Sequence, residues 1–144
     1  MGLCIIVVVL FFGDLSYGGG KIITTPNAPE AIGPYSQAIK KGSLVFLSGQ
    51  IAIDPATGDL VGAGDIQQQT EQVCKNLIAV LEASGMTPID VLMSFCFLTN
   101  IDDFLAFNEI YAHYFGDHPP ARGTVEVARL PKGALVEIAV IAGK

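Results

Sequence analysis

Two residues in the last third of the chain have types and settings that could do chemistry: an arginine at the mouth of a strand and a carboxylate inside another. Arg122 follows Pro119-Pro120-Ala121, a stiff approach that fixes where the next strand starts. Its planar fork can hold a carboxylate through two parallel hydrogen bonds, which lysine cannot match; the structural alternative is a surface or interface ion pair. Glu137 lies in Val136-Glu137-Ile138, among apolar neighbours. An ionised carboxylate left there without a partner costs roughly several kcal/mol in lost hydration. It is therefore either paired, with Arg129 or Lys132 as candidates, or raised in pKa, and a raised pKa suits a general acid or base working near neutrality.

Three further places could line a site around that pair. Tyr35, in Gly33-Pro34-Tyr35-Ser36-Gln37, puts an aromatic hydroxyl on a loop, where it serves either packing or ligand contact. Ser48-Gly49-Gln50 ends a strand with a hydroxyl beside a glycine, which admits close backbone approach. Asn108 interrupts the apolar face of a helix between Phe107 and Tyr111, so its amide must bond a neighbouring loop or meet substrate. Glu126, between Val125 and Val127, reads as an ordinary exposed strand position.

Other chemistries find no support. His113 and His118 miss the i,i+4 spacing that places two ligands on one helical face, so no metal is expected. No GxGxxG, Walker or GxSxG pattern occurs, and neither Ser48 nor a cysteine has an evident histidine partner, so no cofactor is expected either. Cys4, Cys74 and Cys96 form no CxxC; the last two read as small buried thiols in a helix and a strand. A net charge of -6, with only 8 basic residues, opposes a nucleic-acid partner.

The elements that must position these residues occupy one domain, residues 21–144, within a chain of 144 residues that is 51% hydrophobic. Short strands are predicted at 22–25 and 37–39 and a longer one at 44–51, followed by a turn at Asp54-Pro55-Ala56-Thr57-Gly58. Ile66, Val73, Leu77, Val80 and Leu81 recur at helical spacing after a cap at Asp65, and Gly85 with Pro88 closes that helix. Residues 91–98 read as a strand covered on both sides. Asn100 caps a second helix whose stripe is Phe104, Phe107, Ile110, Tyr111 and Tyr114, and strands at 123–127 and 135–141 end the chain. The order βββαβαββ predicts an α+β domain, one sheet of about six strands with both helices on one face. The last strand is apolar on both faces, so the uncovered side needs a partner; a homo-oligomer packed through it is expected, with clefts between subunits.

Residues 1–20 do not match the rest. The apolar run 3–12 is shorter than the roughly 20 residues that span a bilayer, and no Lys or Arg precedes it as a signal peptide requires. Met1-Gly2 suggests myristoylation, but Ile6 stands where Ser or Thr is expected. An expression artefact, an upstream extension, an extra strand and a degenerate targeting peptide all stay open. The expected compartment is the cytoplasm, or an organelle or the exterior if this segment targets.

Gly33-Pro34-Tyr35-Ser36-Gln37-Ala38, Ser48-Gly49-Gln50-Ile51, Asn108-Glu109-Ile110-Tyr111, Pro120-Ala121-Arg122, residues 125–132 and Val136-Glu137-Ile138 together resemble the reactive intermediate deaminase family, also called RidA or YjgF. The resemblance covers residues 21 to about 142. It implies a chorismate-mutase-like fold with a mixed sheet, a homotrimer with sites between subunits, and cofactor-free hydrolysis of 2-imino acids, formed from enamines such as 2-aminoacrylate, to 2-oxo acids and ammonia. This would protect pyridoxal-phosphate enzymes from damage. Carried over, Arg122 clamps the substrate carboxylate with help from the Thr124 backbone N–H, Glu137 orients or activates water, and Tyr35, Ser48, Gly49 and Asn108 line the pocket. Two departures are Gly123, where Ser or Thr often follows the arginine, and Ala139, where a second glutamate is usual; the first bears on the carboxylate pocket, the second lies outside it. A carboxylate-binding or chaperone-like module and an RNA-cleaving translation inhibitor are the alternatives on the same fold.

Overall fold

The computed structural model describes residues 19–144; the apolar run at 3–12, the myristoylation and targeting readings and Cys4 lie outside the described residues. Six strands form one sheet: β1 (Lys21–Ile23), β2 (Ala38–Lys41), β3 (Leu44–Gln50), β4 (Val91–Leu98), β5 (Ala121–Glu126) and β6 (Val136–Gly143). Their spatial order is β1-β2-β3-β6-β4-β5, antiparallel throughout except for the parallel pair β4–β5. The mixed sheet is thus the one the resemblance implies. β6, the last strand made, is central, so the two halves of the chain close on each other through it.

Helices α1 (Ile66–Ala83) and α2 (Phe104–Phe115) cover one face. α1 starts where Asp65 accepts from the Gln68 N–H at 3.0 Å, and it stops before Gly85, whose φ of 80° lies in the left-handed region that favours glycine. Asn100 caps as expected, its side chain accepting from the Asp102 N–H at 3.1 Å, but the turn it caps is a 3-10 turn (Ile101–Asp103) that runs on into α2. Glu126 is not idle: it accepts the Ile101 N–H at 2.8 Å and so satisfies that turn's first donor.

The two-residue period of the strands sorts their side chains. Toward the helices point Val45, Leu47, Ser94, Cys96, Leu98, Val136, Ile138, Val140 and Ala142, all buried against Val73, Leu77, Leu81, Phe107 and Tyr111. Truncating one of these, for instance Leu77→Ala, costs roughly 2–5 kcal/mol. Away from the helices point Phe46, Phe95 and Val125, which are 44%, 39% and 51% exposed, with Phe97, Ala139 and Ile141 half-buried among them. Among the described residues β4 is therefore covered on one side only. That open apolar face is the one expected to seek a partner.

Loops are tied down by buried amides. Gln37 donates to the Thr25, Ala28 and Pro29 carbonyls and accepts the Thr25 N–H, which fixes the loop before β2. Asn76 donates to the Ile51 and Ile53 carbonyls, and Gln69 joins the Gly62 carbonyl to the Leu135 N–H. Each amide satisfies backbone groups that would otherwise be buried without partners.

Candidate active site

Arg122 lies on β5, opposite Ser94, and Ser94 lies opposite Val140 of β6; all three side chains therefore share the helix side of the sheet. Glu137 lies opposite Phe97, whose other neighbour is Val125, on the open side. Within one chain the two residues singled out by sequence do not meet. A sheet's thickness separates them.

The arginine side is built by β5 and α2. The Arg122 guanidinium carbon stands 4.7 Å from the Tyr111 ring centre, with Phe104 and Phe107 at 5.6 and 5.7 Å. Asn108, Tyr111, Phe115, Pro119, Pro120 and Arg122 line an open cleft of about 460 Å³. Among the described residues Asn108 Oδ1, Tyr111 Oη and Thr124 Oγ1 are buried without a well-formed hydrogen bond, so polar capacity is concentrated where the cleft approaches the sheet. Asn108 bonds no neighbouring loop through that oxygen, which leaves the ligand-facing reading of this residue in place.

The glutamate side is built by β3, β6 and the loop before β2. Between Leu47 and Gln50 the register slips by one residue, a bulge at Ser48-Gly49. The Glu137 carboxylate lies over that bulge, and a Cβ at position 49 would overlap it. The glycine does admit a close approach, and what approaches is the chain's own glutamate. Gly49 and Tyr35 line one small cavity of about 20 Å³, and Ser48 Oγ donates to the Ser36 carbonyl at 2.6 Å beside Tyr35. The Tyr35 hydroxyl accepts the Ile32 N–H at 3.2 Å. Tyr35, Ser48, Gly49 and Glu137 thus form one group, and Arg122, Thr124 and Asn108 another.

Glu137 has no hydrogen bond or ion pair among the described residues. Arg129 is exposed, and Lys132 reaches instead to the Gly58 carbonyl at 3.1 Å, so the ion-pair reading of Glu137 is not realised. Half-burial pushes its pKa above the ordinary carboxylate range, since desolvation penalises the charged form. Cys74 and Cys96 are buried free thiols, and burial raises both pKa values, so neither is poised as a nucleophile. Among the described residues no group of three or more His, Cys, Asp or Glu could hold a metal ion, and no helix is long and apolar enough to cross a membrane.

Gly123 and Ala139 both lie opposite Phe95, on the open face. Nothing stands within 4 Å of where a Cβ of Gly123 would be, so its missing side chain leaves a gap beside Phe95 and not in the arginine cleft. Two contributors escaped the sequence reading. Tyr111 reads there as core stripe, although a phenol within an apolar stripe is a signal of unmet polarity; Gln37, which fixes the loop carrying Tyr35, gives no local signal.

The family model described as Endoribonuclease L-PSP matches residues 25–144. A RutC family protein of Saccharolobus solfataricus is 53% identical over 124 residues, covering 86% of this chain and 98% of the relative. The chloroplastic Reactive Intermediate Deaminase A of Arabidopsis thaliana is 47% identical over 122 residues, 85% of this chain and 65% of that protein. The crystal structure of E. coli TdcF with bound serine superposes with a TM-score of 0.81 at 42% identity, covering 86% of this chain and 98% of the other.

Proposed function

The chain belongs to the RidA/YjgF/RutC family, whose members include reactive intermediate deaminases, and from that premise we propose that it hydrolyses 2-imino acids to 2-oxo acids and ammonia. The carrying observation is the division of the site. Arg122 with free donors stands on one face, Glu137 with a raised pKa on the other, and the second face is apolar and unmatched. Because β5 is an edge strand, a second copy packed on the open face past that edge, as in a homotrimer, would carry its glutamate group to the arginine group of the first.

In such a site Arg122 holds the substrate carboxylate by a bidentate pair, assisted by the Thr124 backbone N–H, with Asn108 beside it. Tyr35, Ser48 and Gly49 of the neighbouring copy flank the imine carbon. Glu137 accepts a proton from water as the oxygen bonds to that carbon, and the C=N π electrons move to nitrogen, which takes up a proton. The resulting 2-amino-2-hydroxy acid collapses: the proton held by Glu137 passes to the amino group, the C–N bond breaks with its electron pair leaving on ammonia, and the hydroxyl releases its proton as its oxygen becomes the carbonyl. Imine and water give 2-oxo acid and ammonia. An imine already hydrolyses in water, so orientation and one positioned proton acceptor suffice. The serine held by TdcF, which presents an α-carboxylate of the same kind, supports the binding half of this reading.

The test generates 2-aminoacrylate with a serine dehydratase and follows release of 2-oxo acid in the presence of a trap for free imine. Acceleration by this protein, lost in Arg122→Ala with assembly intact, is the expected result; no acceleration removes the proposal.

RNA cleavage, which the name of the family model carries, is the second reading. The charge of -6 opposes it. Cleavage that survives repurification and vanishes in Arg122→Ala would favour it.

A further inference from the structure

Among the described residues Arg122 is held without a counter-ion. Its guanidinium lies against three rings of one helix face, Phe104, Phe107 and Tyr111, and no acceptor takes its N–H donors among the described residues. An acidic side chain would fix this arginine by occupying the donors a substrate carboxylate needs. A ring face fixes it by attraction between the cation and the ring quadrupole, and the donor edge of the fork stays open.

Tyr111 combines that role with a second feature. It is 6% exposed, it lines the same cleft as Arg122, and its hydroxyl, which lies beside Ser94, gives its proton to no acceptor among the described residues. Burial pushes its pKa up to about 12, so the phenol keeps its proton across the neutral range. A buried hydroxyl with its proton and no acceptor is ready to donate to an anion.

We propose that Tyr111 is the positioning residue of the carboxylate half-site: its ring holds the Arg122 guanidinium in place with the donors free, and its hydroxyl donates to the bound acid. The inference rests on the reading of Arg122 as a carboxylate clamp.

Two substitutions separate the ring from the hydroxyl. The assembled protein is titrated with pyruvate, an acid of the product class, and with pyruvamide, its neutral counterpart, by calorimetry. Tyr111→Phe should weaken pyruvate by about threefold, and Tyr111→Leu by about tenfold or more, with pyruvamide unchanged in both. In the dehydratase-coupled assay the loss should fall on KM and leave kcat near the parent value. Equal weakening of both ligands, or a Leu variant that keeps the parent's preference for pyruvate, overturns the proposal. If Tyr111→Leu does not assemble, Phe107→Leu removes another of the three rings and is held to the same outcomes. A parent protein with no preference for pyruvate overturns the clamp and this inference together. A parent protein that prefers pyruvate, loses that preference in the Leu variant and yet hydrolyses no imine supports the inference while removing the proposed activity.

Discussion

The two sides of the sheet treat charge in opposite ways. On the helix side Arg122 rests on ring faces, which attract a diffuse cation, and its hydrogen-bonding edge is left unengaged among the described residues. On the open side Glu137 is half-buried among apolar neighbours, so its charge is unpaired among the described residues and only partly hydrated, and its pKa rises. The same kind of surroundings therefore makes a cation available for binding and a carboxylate available for protons. That is a division of labour suited to an acid that must be held and then hydrated.

The largest effects test whether the two sides work as one. Arg122→Ala and Glu137→Gln should each lower kcat/KM by about 10²–10⁴-fold, the arginine mainly through KM and the glutamate through kcat. Coassembled at equal amounts, the two dead variants should recover about a quarter of parental activity, because one interface in four then carries both wild-type groups. Failure to recover in demonstrated mixed assemblies would break the comparison.

A smaller effect should follow from Gly49→Ala. The added methyl displaces the Glu137 carboxylate, and kcat should fall by about 10–100-fold while the mass of the assembly is unchanged. An unaltered rate would show that the position of this carboxylate is immaterial.

Titration sharpens the contrast further. Burial raises the pKa of Glu137, so the acid limb of kcat/KM should lie above the ordinary carboxylate range, activity rising as the base ionises. If Arg122 of a second copy faces it, Arg122→Ala removes a favourable charge and the limb should move to still higher pH. For stability the sign is reversed. The native state favours protonated Glu137, a contribution complete below the unfolded pKa and lost as pH rises through the native one, so Glu137→Gln should gain Tm relative to the parent as pH increases.

The smallest effect lies away from both groups. Tyr114 donates to Glu71 at 2.6 Å and ties α2 to α1; Tyr114→Phe should cost about 1 kcal/mol, a few degrees in Tm, with the rate unchanged.

The elements were legible because period announces them: alternation in the strands, three-and-four spacing in α1, and caps at Asp65 and Asn100. Glu137 stood out because it breaks an apolar pattern, and Arg122 because its fork stands at the mouth of a strand behind the stiff Pro119-Pro120 approach. Their opposite faces could not be read, since parity within β5 and β6 has meaning only once both strands are registered against β4. The bonds of Gln37 and Gln69 were equally hidden, because their carbonyl and amide partners lie up to 66 residues away and have no side-chain identity to read. Glu126 looked inert for the same reason, its partner being a backbone N–H of another turn.

The sheet between Arg122 and Glu137 also bears on dosage. No rotamer change within one chain joins them, so on the proposed reading activity per chain depends on how many chains are present. Diluted below the concentration at which copies associate, the protein should lose rate without losing fold. A cell making little of it would then have less than proportional protection, and the enzyme's abundance would itself act as a threshold.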